Sequence, residues 1–220
     1  MGESERYGLY CGVVGPIVSV VAVLLATLVD SAFSWREQAL SNLGEHPDGE
    51  TFLYAIETSQ AEFFLFNGGL LVTAVIGLGF AWVLFDGAEN VVERIGAGLY
   101  AIGLVGLACV AIVHLGHDYH FTVSVVYFVT AGFALLWYGG GRMLEGHHRY
   151  GLLTFGTGLA FALTWLLWAT VVPDSAASGV AIPEFVSSML FASWSFGTAS
   201  ARLWGDRLWQ TDGERLDRPA

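Results

Sequence analysis

The chain has no lysine. Its nine basic residues are all arginines, set against 20 acidic ones in 220 residues, a formal net charge of −11. That balance disfavours binding to nucleic acid or to an anionic bilayer through a basic patch. Cysteine is almost as scarce. Cys11 and Cys109 both fall within apolar runs, in opposite halves of the layer those runs would cross, so neither a disulfide framework nor thiolate ligation of a metal follows. Charge as a whole is sparse, at 13% of residues against roughly 25% in soluble domains.

What fills the space is apolar. Hydrophobic residues make up 55% of the chain and mean hydropathy is +0.59. They cluster in six runs, at about residues 8–29, 61–85, 95–115, 121–141, 150–172 and 183–203. Each is long enough, at ~1.5 Å of rise per residue, to cross a hydrocarbon layer of ~30 Å. The expected fold class is all-α, a polytopic bundle of six transmembrane helices forming one domain, with residues 204–220 as a polar tail. The first run is too long for a signal peptide, and Asp30-Ser31-Ala32 offers no small-x-small cleavage site, so it is read as a retained helix.

The arginines fix an orientation. With the N-terminus cytoplasmic, eight of the nine fall on the inside and Arg36 alone falls outside, as the positive-inside rule requires. Both termini are then cytoplasmic and the protein is a multi-pass component of the cell membrane. The 20 acids divide evenly between the two sides. Acidity on both water-facing surfaces suits high salt, which screens the self-repulsion, and points to a halophilic source.

The first outside loop, from about Asp30 to Gln60, is long enough to hold structure of its own. Ser34-Trp35-Arg36-Glu37 has the S-x-x-E form of a capping box, and Gly44 supplies a stop. The pattern predicts an amphipathic helix of two to three turns with Trp35, Ala39 and Leu43 on one face, lying on the membrane or folding back over the bundle mouth. Small residues recur four apart at Thr154, Gly158 and Ala162, and at Ser193, Gly197 and Ala201, while Gly96 and Gly103 are a heptad apart. Such stripes predict close packing within the bundle.

Polar groups in or near the apolar layer are the candidates for chemistry. The densest set is His114, His117, Asp118 and His120, whose donors suit a tetrahedral zinc site if His114 and His117 share a helical face. The competing reading has them capping two helix ends across a tight turn. Glu62 and Asn67 follow, the first as a solvated helix start and the second as an interhelical hydrogen bond. Ser41 could act as a nucleophile with His120 as base and Asp118 as orienting acid, although no G-x-S-x-G elbow surrounds it. Ser41, Asn42, Glu62, the histidine cluster and Glu184 all map to the outer half, with Trp35 at its interface. The inner half offers arginines and acids of ordinary loop type, and His147-His148 read as solvated or as touching headgroups.

Phe33-Ser34-Trp35, Ala39 through Gly44, Leu65-Phe66-Asn67 with Gly69-Leu70, His117 through Phe121 with Val123-Ser124, and Gly179 through Glu184 together resemble the archaeal branch of the membrane family called domain of unknown function 998. The resemblance spans the first helix to the sixth. It implies a six-helix integral membrane bundle and no particular activity, substrate or cofactor. It also implies an aspartate where this chain carries Asn42.

Three functions compete. The first is binding of a lipid or amphiphile through an outward polar mouth, with membrane lipids as partners and an acyl or isoprenoid chain between the helices. The second is a small transporter or channel, and the third a non-enzymatic scaffold or accessory subunit. The sequence leaves open whether the protein is an enzyme. A divalent metal such as zinc is the cofactor its residues suggest.

Overall fold

The computed structural model describes residues 1–45, 61–171 and 179–205. Expectations for Asp48, Glu50, Glu57, Pro173-Asp174 and the arginines at 207, 215 and 218 lie outside the described residues. Six long helices are present among them: α1 (Glu3–Val29), α2 (Ala61–Asp86), α3 (Val91–Ile112), α4 (His120–Leu144), α5 (His148–Val171) and α6 (Ala181–Trp204). No strand occurs among the described residues.

Five of these helices, α1 to α5, are long and apolar enough to cross a membrane. Their outer faces carry large apolar side chains exposed to the surroundings, such as Leu28, Val75, Trp82, Ile102, Leu163 and Leu166. In water such a continuous apolar surface would be an association site, whereas lipid solvates it at no cost. The chain is thus a multi-pass membrane bundle. The sixth helix is as long but richer in hydroxyls. Several of those hydroxyls are satisfied inside the bundle: Ser187 and Ser195 donate to the carbonyls of Pro183 and Phe191, and Thr198 bonds the Tyr150 hydroxyl at 2.8 Å, whereas the buried Ser200 hydroxyl has no partner among the described residues.

Each helix packs on its neighbour in sequence, and α6 returns to pack on α1, closing a ring. Close approach between helices rests on glycine at two seams. A Cβ on Gly96 would strike the Tyr138 backbone of α4, and one on Gly139 would meet the Phe155 amide nitrogen at 2.5 Å. With lipid tails as apolar as leucine, dispersion between touching backbones supplies much of the association energy. The predicted stripes on α3 and α5 behave this way, since Gly103 faces Thr130 and Gly158 faces Leu135 and Leu136. The α6 stripe does not: nothing lies within 4 Å of a Cβ on Gly197, which borders an open groove between α5 and α6. At the centre Tyr100 stacks on Phe191 at 4.9 Å and meets Phe80 edge-on at 5.8 Å. The Tyr100 hydroxyl bonds Ser195 at 3.0 Å.

The segment after α1 departs from expectation. Among the described residues, no amphipathic helix of two to three turns forms between Ser34 and Gly44. Residues 35–38 make a turn, and only Leu40–Gly44 is helical, as a 3₁₀ helix of five residues. Side chains compete for the amides that an α-helix would need. Asn42 Oδ1 takes the Ala39 amide at 2.8 Å. Glu184 of α6 takes the Leu40 amide. With those donors diverted, the backbone cannot propagate i to i−4 bonds. Nor do Trp35, Ala39 and Leu43 share a face: Leu43 is buried in the core, while Trp35 wedges edge-on between Phe33 and Phe185. The segment folds back into the bundle mouth, one of the two placements anticipated for it.

Candidate functional site

The mouth is built from three elements held together by hydrogen bonds. The Ala181 amide at the start of α6 donates to the Gln38 carbonyl at 2.9 Å, and the Leu40 amide donates to Glu184 Oε2 at 2.6 Å. Asn67 Nδ2 reaches across from α2 to the Gly44 carbonyl at 3.1 Å. Asn67 can do so because α2 contains a π-helical turn at Phe64–Gly68, which inserts a residue and rotates the side chain inward. A Cβ on Gly44 would sit 2.5 Å from the Asn67 amide oxygen, so only glycine lets the two meet. Glu62, in the first turn of α2, is half-buried.

The histidines sit across the mouth. α3 ends at Ile112, three residues short of the predicted end, and Gly116, at a φ of 101°, turns the chain. His114 and His117 therefore share no helical face. His114 Nδ1 bonds the Leu115 carbonyl at 3.0 Å, and its ring lies edge-on to Phe63 at 5.4 Å. His117 Nδ1 accepts from the Tyr119 amide at 3.3 Å. His120 Nδ1 donates to the Val113 carbonyl at 2.6 Å, fixing the tautomer so that Nε2 accepts from Ser124 Oγ at 3.4 Å. These bonds are the turn-capping arrangement. Among the described residues no three His, Cys, Asp or Glu side chains are grouped to hold a metal ion, so the zinc set of His114, His117, Asp118 and His120 is not assembled. Nor is the triad, because both ring nitrogens of His120 are engaged with partners other than Ser41 and Asp118.

What the mouth does assemble is a cavity of about 950 Å³. Its rim is polar, with Glu37, Ser41, Asp118, His120 and Glu184. Below the rim it becomes a slot between α4 and α5 walled by Phe128, Phe133, Phe161, Trp165 and Trp168. Gly132 and Ala162 are the small residues of its lining, and a Cβ on Gly132 would come within 3.2 Å of the Phe161 ring. Ser41, Ser124, Phe128 and Glu184 are also shared with an internal void of about 60 Å³, whose further lining includes Ser19, Tyr127 and Ser188. That void adjoins another of about 30 Å³ reaching Tyr100 and Ser195.

Residues 13–201 match the model of a family described as Protein of unknown function (DUF998). The chain belongs to that family. No curated protein matches it, and no solved structure does. The DUF998 match runs from within α1 through most of α6, and so takes in every residue of the mouth described above.

The opposite end of the DUF998 bundle holds a site that sequence reasoning missed. Arg142, 2% exposed, donates to Glu89 Oε1 at 2.7 Å and lies 3.5 Å from Glu93 Oε2, whose side chain is fully buried. His147 is buried beside them with Nε2 3.4 Å from Glu89, so it is neither solvated nor a headgroup contact. Asn90 caps α3 by accepting the Glu93 amide at 2.9 Å and donates to the Gly141 carbonyl at 3.0 Å. Burial pushes the Glu89 carboxyl up, but the Arg142 hydrogen bond and charge, aided by His147, outweigh it and hold the group below its ordinary value. The signal available in the sequence was the spacing of Glu89, Asn90 and Glu93 ahead of a basic residue ending the next apolar run.

Proposed function

We propose that the protein binds a lipid or amphiphile in the mouth cavity, with the hydrocarbon chain in the α4–α5 slot and the headgroup at the rim. The observation that carries this reading is the continuity of a polar rim with an aromatic slot in one cavity of about 950 Å³. Drug-sized sites run to about 1,000 Å³, and apolar walls with a few convergent polar groups are their usual lining. In this reading α6 is a sixth crossing and the arginine-rich side faces inward, so Arg36 and the mouth lie outside and the cavity opens outward; the distribution of arginines supports it. The acidic surface suits a halophilic archaeal cell membrane. Passage of a solute is the weaker reading, because the voids beyond the mouth narrow to about 30 Å³.

The test is native mass spectrometry of the protein released from gentle detergent. Wild type should retain adducts of amphiphile mass. Ala162→Trp, which fills the slot from an exposed helix position, should lose them while its thermal stability stays within a few degrees of wild type. Adducts that persist unchanged in the filled variant, or a wild type that carries none after incubation with membrane lipids, would sink the reading.

A further inference from the structure

The mouth cavity and the inner void of about 60 Å³ meet at a neck. Four residues line both spaces, Ser41, Ser124, Phe128 and Glu184, and three of the four are polar. They come from three elements: Ser41 from the 3₁₀ helix, Ser124 and Phe128 from α4, and Glu184 from the first turn of α6. Ser124 and Phe128 are one turn apart on a single face of α4, so the neck leads directly onto the aromatic wall of the slot. The rim further out carries Gln38, Asn42, His117 and Asp118, donors and acceptors together, and gives no reason to favour one charge.

What the neck still has to offer is narrower. Ser41 is 8% exposed, yet its hydroxyl makes no hydrogen bond among the described residues. Nor is it one of the partnerless polar atoms sealed within the packing, so it faces the open space that Ser41 lines. Water satisfies such a group, and an occupant that displaces the water has to do the same. The Ser124 hydroxyl donates to His120 Nε2 at 3.4 Å and keeps its lone pairs. Glu184 Oε2 takes the Leu40 amide, and Oε1 has no partner among the described residues. Clasps at Leu40 and Gly44 tie the 3₁₀ helix to α6 and α2 on either side of Ser41, so its position does not depend on its own hydroxyl.

A group seated here meets one proton to accept and several oxygens to donate to. A hydroxyl answers both, accepting from Ser41 and donating to Glu184 Oε1. A carbonyl or ether oxygen accepts from Ser41 but leaves the carboxylate unmet. A quaternary ammonium has neither donor nor acceptor and leaves the Ser41 proton unmet. Resting on the amphiphile reading above, we propose that Ser41 is a selecting residue and that the occupant ends in an alcohol, either a long-chain alcohol or a glycerol head. Its hydroxyl sits in the neck between Ser41 and Glu184, and its chain follows Phe128 into the α4–α5 slot.

The experiment titrates hexadecanol, the hexadecyl ether of glycerol, chlorohexadecane and hexadecyltrimethylammonium into delipidated protein, at equal mole fractions in micelles of an amine oxide detergent. Adducts are read by native mass spectrometry for wild type and for Ser41→Ala, which should fold as wild type does because the Ser41 hydroxyl holds no other part of the fold. In wild type the two alcohols should bind about tenfold tighter than the chloride and the ammonium, the cost of leaving one buried polar group unmet. The tighter of the two names the source of the hydroxyl. Ser41→Ala should cut the alcohols' advantage to about threefold or less without weakening the chloride. Equal binding of all four compounds overturns the proposal while leaving an amphiphile site standing, and so does an ammonium that binds tightest. A Ser41→Ala variant that weakens all four alike overturns the role given to Ser41, since loss of a merely structural residue would do that. Binding of none overturns the amphiphile reading itself.

Discussion

Replacing Arg142 with methionine removes the cation paired with Glu93 among the described residues. Methionine keeps the aliphatic stem of the arginine side chain while removing the guanidinium, so the larger part of the cost is electrostatic rather than lost packing. Glu89 is about half exposed and can turn to water, whereas Glu93 is fully buried and cannot. Leaving one buried partner of an ion pair uncompensated costs about 3–5 kcal/mol. Glu93 keeps the amide of Glu89 at 3.1 Å and Asn90 Nδ2 at 3.2 Å, which places the expected loss near the lower end, about 3 kcal/mol. The assay is equilibrium unfolding in mixed micelles followed by circular dichroism, with Arg142→Met, Glu93→Gln and the double variant forming a cycle. The double variant should recover about half of the single loss, since glutamine keeps the neutral hydrogen bonds and carries no charge. An Arg142→Met loss below about 1 kcal/mol, the range of a surface pair, would refute the view that this cluster is a buried lock between α3 and α4.

Asn67→Ala should cost about 1–2 kcal/mol, because it unties the Gly44 carbonyl, and hydrogen exchange should quicken at residues 40–44; unchanged exchange there would mean that Asn67 does not hold the mouth segment. Glu89, held below its ordinary value of 4.5, contributes stability that is present above that value and lost as pH falls towards the folded pKa. Unfolding curves between about pH 7 and pH 3 should therefore show a shallower acid loss for Glu89→Gln than for wild type, and equal slopes would count against the pairing.

The helices were legible because runs of apolar residues long enough to cross a bilayer have few other uses. Asn67 was readable as a buried hydrogen-bonding residue for the same reason, as an amide deep in such a run needs a partner. The mouth segment was misread because its capping residues found long-range and side-chain partners. Glu184 lies 144 residues from the Leu40 amide that it takes, a separation no local pattern encodes. The π-helical turn at Phe64–Gly68 leaves no mark in composition. The Arg142 cluster was missed for a geometric reason. The apolar runs were ended at the first charges, which assigned Glu93 and Arg142 to water-facing loops, yet α3 starts at Val91 and α4 continues to Leu144. A helix that outlasts its apolar run by a turn carries the charges into the bundle with it. The cavity was foreseen as a polar mouth above a space for a chain between helices, but not as lying between α4 and α5; that depends on how those two helices diverge, which side-chain order along one chain does not specify.

The closing of the ring by α6 bears on the order in which the protein can be made. α6 packs on α1, and Arg202 donates to Glu5 at 2.8 Å across 197 residues of chain. During synthesis α1 enters the bilayer first and its partner last, so the α6-facing side of α1 stays against lipid until the final helix arrives. Contacts of such long sequence separation form late and slowly. The mouth shares that timing, since the Leu40 and Gln38 clasps both wait for the first turn of α6. A ribosome stalled before residue 181 would leave five inserted helices and a mouth segment tied at Gly44 by Asn67 but without its two α6 clasps, a form open to quality-control proteases at the end where the finished protein is clasped.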